Sequence, residues 1–323
     1  MLQLIYLPVL ILLILFYFRI AVQFKIIDKP NQRSSHSRIT IRGGGIIFPI
    51  ALLLQSLFSH FEYSLFASGL LLISLVSFYD DLRPLSNKIR LLIQSAAVSL
   101  LFMQTYLLDY PIWVIIIIYI LVIGTINAYN FMDGINGITG SYSLITILSF
   151  YFINENHNSF VQNEWLIITA LTLLVFNFFN FRKNAKCFAG DVGSVSIAFI
   201  IIFFLLLLIL KTEDLKYIGF LLIYGIDSIS TILFRLIRRE NIFEAHRSHF
   251  YQYLANVKLW PHLWISALYM LVQLILNFLI FYSHWDSIDF LIFILVSGIV
   301  FVGLRFVVEG RGRLMGRELA NWV

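Results

Sequence analysis

Apolar runs of helical length alternate with short polar segments along the whole chain. A hydrocarbon core of about 30 Å takes about 20 helical residues to cross. The apolar runs divide into eleven stretches near that length, at 2–22, 45–60, 64–80, 89–108, 110–127, 137–153, 164–181, 192–210, 215–237, 262–282 and 287–308. The pattern predicts an all-α polytopic membrane helix bundle of about eleven transmembrane helices, a single integral membrane domain over 1–323. Met1–Phe18 has no basic segment before its apolar run and no small-residue cleavage site after it, so it reads as a retained span.

The polar segments give the orientation. Of the 23 Lys and Arg residues, 21 fall in alternate loops on one side, leaving only Lys211 and Lys216 opposite. By the excess of Lys and Arg in cytoplasmic loops, the basic side is expected inside, the N-terminus outside and the C-terminus in the cytoplasm. Composition then excludes whole classes. With 60% apolar residues, 31 Phe and a mean hydropathy of +0.87, a soluble domain is ruled out. The net charge of +5 is accounted for by anchoring and leaves nucleic-acid binding without support. The single cysteine, Cys187, has no partner for an internal disulfide.

Chemistry-bearing residues are segregated in the same way. Loops on the far side are short and chemically poor. The cytoplasmic loops, at 24–45, 80–90, 127–137, 182–194 and 238–260, hold acids, amides, glycines and histidines, as a site for a cytoplasmic polar substrate requires. Asp80 and Asp81 end an apolar span, where adjacent like charges call for a cation, Arg90 or Lys88 nearby. In NAYNFMDGING (127–137), Asn127, Asn130, Asp133 and Asn136 recur every third residue and share about half of the surface if helix continues through them. Asp191 in AGDVGS opens another span between Gly190 and Gly193, where helix amides suit an anion. Acids on three loops of one face suit a Mg²⁺–diphosphate site, because magnesium is held by one or two carboxylates plus phosphate oxygens. His246, Arg247 and His249 follow Arg238 and Arg239 as donors for phosphate, and His-x-x-His lacks the further ligands of a closed zinc site. The first loop adds Arg33, His36, Arg42 and the run Gly43-Gly44-Gly45.

Five of these stretches, PNQRSSHSRITIRGGG, DDLRPLSNKIRLLIQ, NAYNFMDGING, FAGDVGS and AHRSHFYQ, occur in this order over 28–254. In that order they resemble the polyprenyl-phosphate N-acetylhexosamine-1-phosphate transferases, glycosyltransferase family 4. The resemblance implies transfer of a sugar-1-phosphate from a UDP-sugar to undecaprenyl phosphate with release of UMP, at a cytoplasmic site in the bacterial inner membrane. It implies Mg²⁺ as cofactor, with Mn²⁺ as a substitute, and a homodimer as a common assembly. By similarity Asp80, Asp81, Asp191 and His246 take catalytic positions, and Asn130 and Asp191 take magnesium-binding ones. Asn127, Asp133, Asn136 and Gly137 belong to the nucleotide-site motif, and Arg42, Arg90, Arg247 and His249 to the surroundings of the diphosphate or sugar. Two positions depart from the family pattern. Asn136 stands where many bacterial members carry Asp, and HRSH replaces triple-His or HIH forms. The HRSH form looks most like transferases that begin O-antigen or capsule chains on N-acetylfucosamine or a related 6-deoxy sugar.

Two other classes are weighed against this one. A Mg²⁺-dependent prenyltransferase needs two Asp-rich helices, and no second DDxxD-like motif exists here. An ion-coupled transporter places acids near the membrane midplane, whereas these lie at span ends, Asp227 being the chief exception.

Overall fold

In the computed structural model, which describes residues 2–28, 39–242, 244 and 246–316, the chain is a helical bundle. Arg33 and His36 lie outside the described residues. In chain order the helices are α1 (Leu2–Gln23), α2 (Ile47–Phe58), α3 (Ser64–Leu82), α4 (Asn87–Gln104), α5 (Ile112–Met132), α6 (Ile138–Asn156) and α7 (Asn163–Asn180). They continue with α8 (Gly190–Thr212), α9 (Leu222–Ile237), α10 (Phe250–Asn256), α11 (His262–Tyr282), α12 (Ser287–Glu309) and α13 (Arg311–Leu314). Apart from the short α10 and α13, each helix falls on one of the expected apolar stretches.

Eight of these segments are long and apolar enough to cross a membrane, with the 3-10 turn Leu215–Leu221 and α9 counting as one. The remaining three, α2, α4 and α6, fall short for physical reasons. α2 has only 12 residues. α4 and α6 carry more polar side chains, and those of α6 (Thr139, Ser141, Ser143, Thr146) are buried against neighbouring helices rather than turned to lipid.

Helix ends follow their sequence signals. Ser86 caps α4 by accepting from the Ile89 amide, and Asp286 caps α12 by accepting from the amides of Ile288 and Asp289. Gly310, at φ +84°, ends α12. The most apolar span, α8, is the axis of the bundle and packs against α2, α3, α5 and α6. Within its most apolar 18-residue stretch 89% of residues are buried, against 6% in that of α12, so α8 is the core and α12 is a peripheral helix with a lipid-facing surface. Polar residues inside the bundle bond one another. Gln273 on α11 donates to the Gly219 carbonyl and to Asn277, and accepts from Tyr142 on α6 at 2.8 Å. Apolar surroundings hold no water to satisfy such groups, so helices exchange hydrogen bonds instead.

One departure from the all-helical pattern lies beside α8. Ile27–Asp28 (β1) and Thr40–Ile41 (β2) pair antiparallel, and Ile41 bridges to Cys187. Cys187 is thus fully buried in a backbone junction, with its thiol pushed up chiefly by burial.

Candidate functional site

The site is assembled around the N-terminus of α8. Gly44 and Gly45 donate to the carbonyls of Phe188 and Ala189, which lays the triple-glycine segment against the loop before α8. Gly45 and Gly193 touch backbone to backbone, and a Cβ on either would collide with the other. At Gly190, φ is +72° and a Cβ would meet Asp81 Oδ2 at 2.6 Å. Glycine in both motifs therefore serves to bring the loops together and to admit a carboxylate to the helix end.

That carboxylate is Asp81. Its side chain is fully buried; Oδ1 accepts from Arg42 Nε at 2.6 Å and from the Asp191 amide at 2.9 Å, and Oδ2 from the Val192 amide at 3.0 Å. A carboxylate on exposed helix amides gains from both hydrogen bonding and the helix dipole. Asp81 and Arg42 are thereby taken up in joining α3, the first loop and α8. Arg42, its guanidinium held charged by Asp81 and Asp191 against the cost of burial, also lies 3.8 Å from Asp191.

Asp80, one residue earlier, faces elsewhere. Its Oδ1 accepts from the Leu85 amide at 2.5 Å and Oδ2 lies 3.3 Å from Arg90 Nη1. Asn130 stands between Arg90 and α8. With its amide turned to satisfy its neighbours, it accepts from Arg90 at 3.1 Å and donates to Asp191 at 3.1 Å and Ser194 at 2.8 Å. Asp80, Arg90 and Asp191 line a narrow cleft whose other walls include Ile73, Val76, Ile93 and Val195, with Gln94 and Ser77 between. Its chemistry runs from charged groups at the helix ends to an apolar slot further along α3.

The NAYNFMDGING stretch departs from the expected single helical face. Helix α5 stops at Met132, and Gly137 takes φ +86° with its amide on Asn180 Oδ1, so Asp133 and Asn136 leave the face shared by Asn127 and Asn130. Asn127 is turned to α4, donating to Gln94 at 3.1 Å and to the Ile123 carbonyl. The Asn136 amide donates to the carbonyls of Arg182 and Lys183 and ties the loop to the segment before α8. Gly137 packs on Phe181, with no room for a Cβ. Asp133 is partly exposed, but its carboxyl is buried beside Thr139, and burial pushes its pKa up to about 7. A wider groove on the same face is lined by Lys25, Asn136, Lys183, Lys186, Phe188 and Asn256.

The basic loop is braced from within the bundle. The ring of His246 stacks on that of His249, with centroids 5.0 Å apart, and both lie near Phe131 at the end of α5. Burial, then the neighbouring His249 and Arg235, lower the His246 pKa to about 3, so its imidazole is neutral at pH 7. Arg247 is half-buried. Tyr251 donates to the Phe131 carbonyl at 2.8 Å and fills the space that Gly134 leaves. Two arginines counted as surface anchors prove to be interior. Arg235 is 3% exposed and bonds Glu240 and the Asn241 carbonyl, while Arg305 is 1% exposed and pairs with Glu309. Buried Asp227, Tyr269, Arg305 and Glu309 form a polar group of which sequence reasoning singled out only Asp227, without a role; the other three, in or beside apolar spans, were missed.

Among the described residues, no three His, Cys, Asp or Glu side chains are grouped so as to hold a metal ion by themselves. The oxygen donors lining the cleft are the carboxylates of Asp80 and Asp191; Asn130 adjoins them, with its amide oxygen on Arg90 and its NH₂ on Asp191 and Ser194. Hard oxygen donors in this small number fit Mg²⁺, which keeps part of its shell for water and phosphate and needs no complete protein cage.

A helical bundle with acids, amides and a guanidinium gathered at the end of its central helix defines a polytopic membrane protein with a polar site at one face. Residues 63–209 match the family described as glycosyl transferase family 4. The chain is 24% identical over 279 residues to a probable undecaprenyl-phosphate N-acetylglucosaminyl 1-phosphate transferase of Bacillus subtilis (strain 168), covering 78% of this chain and 76% of that protein. It is 28% identical over 264 residues to the undecaprenyl-phosphate alpha-N-acetylglucosaminyl 1-phosphate transferase of Escherichia coli (strain K12), covering 73% and 71%. To the phospho-N-acetylmuramoyl-pentapeptide-transferase of Thermotoga neapolitana it is 26% identical over 256 residues, covering 72% and 80%. Over residues 63–209 the chain is thus similar to glycosyl transferase family 4, and over about three quarters of its length to undecaprenyl-phosphate N-acetylglucosaminyl 1-phosphate transferases.

Proposed function

We propose that the protein transfers a sugar-1-phosphate from a UDP-N-acetylhexosamine, or its 6-deoxy form, to undecaprenyl phosphate, releasing UMP and starting an envelope polysaccharide such as O-antigen or capsule. The names of its relatives support phospho-sugar transfer to undecaprenyl phosphate. The observation that carries the reading is the cleft where Asp80, Arg90 and Asp191 adjoin an apolar slot of Ile73, Val76, Ile93 and Val195. A phosphate esterified to an isoprenoid needs that pairing of charge and grease. The wider groove, with half-exposed Phe188, amides and lysines, suits a nucleotide. The excess of basic residues on this side supports a cytoplasmic site, with the N-terminus outside.

The chemistry asks little of a base. A phosphate monoester has a second pKa of about 6, so its oxygen is already nucleophilic at pH 7. It attacks the sugar-bearing phosphorus in line, a new P–O bond forms, and the P–O bond to UMP breaks with its electron pair leaving on UMP. The obstacle is repulsion between two anions. Asp80 and Arg90 position the acceptor phosphate, Arg247 faces the donor diphosphate, and Asp191 with Asn130 would hold Mg²⁺. When bound, that ion supplies neutralisation of the diphosphate charge.

The test is UMP release by purified protein given undecaprenyl phosphate and a panel of UDP-sugars. UMP is expected with at least one sugar and lost in EDTA. Release of free diphosphate from a prenyl diphosphate instead would mark a prenyltransferase.

A further inference from the structure

Asp227 lies on α9, outside every motif on which the proposed reaction rests, and none of its side chain is exposed. Its carboxylate accepts from the Phe250 amide at 3.0 Å, from Thr231 at 3.2 Å and from the Tyr269 hydroxyl at 2.7 Å. His249 Nδ1 stands 3.5 Å away and Arg305 Nη1 3.9 Å away. These partners come from α9, α10, α11, α12 and the basic loop, so one carboxylate joins four helices to that loop. Arg305 adds a second grip, donating to the Ser248 carbonyl at 2.8 Å. The backbone on both sides of His249 is thus held from the bundle interior. On its other side His249 supports His246, and both rings face Phe131, the residue after Asn130.

We propose that Asp227 is a positioning residue for the transfer reaction: it orients His249 and thereby sets the His246–His249 segment against the end of α5 that carries Asn130 and Asp133. A saturated buried carboxylate is stiff, and a loop fastened to it is presented in one geometry. A misplacement of about 1 Å at a reacting centre can cost roughly 100-fold in rate. The inference rests on the transferase reading, and its test separates the two.

Asp227→Asn keeps the volume but loses the charge and part of the acceptor set. It is expected to lower kcat/KM for the UDP-sugar roughly 100-fold per folded molecule. The same change made in His249→Ala is expected to cost nothing further, because the oriented ring is already gone. Losses that multiply in the double variant, or a lower Tm with unchanged kcat/KM, overturn the proposal. Should Asp227→Asn fail to fold, Tyr269→Phe removes a single donor to Asp227 and is expected to give a smaller loss that also vanishes in His249→Ala; a loss that persists there overturns it. Trypsin cleavage after Arg247 reads the loop without catalysis. Faster cleavage in Asp227→Asn than in wild type supports the proposal, and equal rates overturn it. A wild-type protein that releases no UMP from any UDP-sugar sinks the transferase reading, and the cleavage rates then decide on Asp227 alone.

Discussion

The α3–α8 junction and the α9–α12 junction both bury acids beside arginines, yet they use them in opposite ways. Asp227 has every partner supplied by the protein, with hydroxyl, amide, imidazole and guanidinium groups closing around it. Asp80 and Asp191 have fewer, and both line the narrow cleft. A saturated carboxylate has nothing left for a ligand and serves as a fastener. An unsaturated one in a cleft keeps oxygen lone pairs free, as the proposed Mg²⁺ site requires. Asp81, adjacent to Asp80, falls on the fastener side of the same division because the amides of α8 and Arg42 take up its oxygens.

The sharpest way to break this comparison is to remove an unsaturated acid. Asp191→Ala and Asn130→Ala should each lower UMP release by about 100- to 1,000-fold, the scale of removing a preorganised charge-stabilising group. Tm in detergent should fall less in both than in Asp81→Ala. Asp191 lies 3.8 Å from Arg42 and the Asn130 amide bonds only side chains, whereas Asp81 holds two backbone amides of α8 and Arg42 together. Full activity in either variant would remove that residue from the site.

Asp80 and Asp81 then form a matched pair for the opposite test. Asp81→Ala strands two helix amides and loses the partner of Arg42, whose side chain is 36% exposed, so the cost is on the order of 1–3 kcal/mol, that of leaving buried donors unsatisfied. A fall in Tm of several degrees is expected. Asp80→Asn can still accept from the Leu85 amide, so Tm should hold while the UMP rate drops and some turnover remains. Equal Tm values for Asp81→Ala and wild type would erase the distinction between the two acids.

Sequence reasoning recovered what hydropathy and charge encode and missed what long-range packing decides. The expected spans match α1–α9, α11 and α12 closely, because a run of apolar residues near 20 long is a local signal. The meeting of Asp80, Asn130 and Asp191 was legible from three acid-bearing loops on one face. The end of α5 at Met132 was not, since Asn127, Asn130, Asp133 and Asn136 keep a helical spacing that Gly134 and Gly137 then break. Gly45 and Gly193 lie in separate motifs, and nothing local says that their backbones touch. Arg305 counted toward the basic side by sequence, and only its contacts with Ser230, Thr231, Ser248 and Glu309 show that it is interior.

Asp133 stands between the two kinds of acid, buried at its carboxyl yet without a guanidinium of its own, and pH should expose that. Its folded pKa of about 7 lies above the ordinary 3.8, first because of burial and despite the Thr139 hydroxyl. Between those values the folded protein holds a proton that the unfolded chain has lost, so this group lowers stability as pH rises through the window, with no further change above about 7. His246 works the other way. Its folded pKa of about 3 lies below the ordinary 6.5, so across that range the unfolded chain binds more protons and stability rises with pH. Tm measured in detergent from about pH 5 to pH 8 should therefore climb more steeply in Asp133→Asn than in wild type, and less steeply in His246→Asn. Parallel curves for Asp133→Asn and wild type would mean that this carboxyl is solvated and belongs with neither the fasteners nor the site.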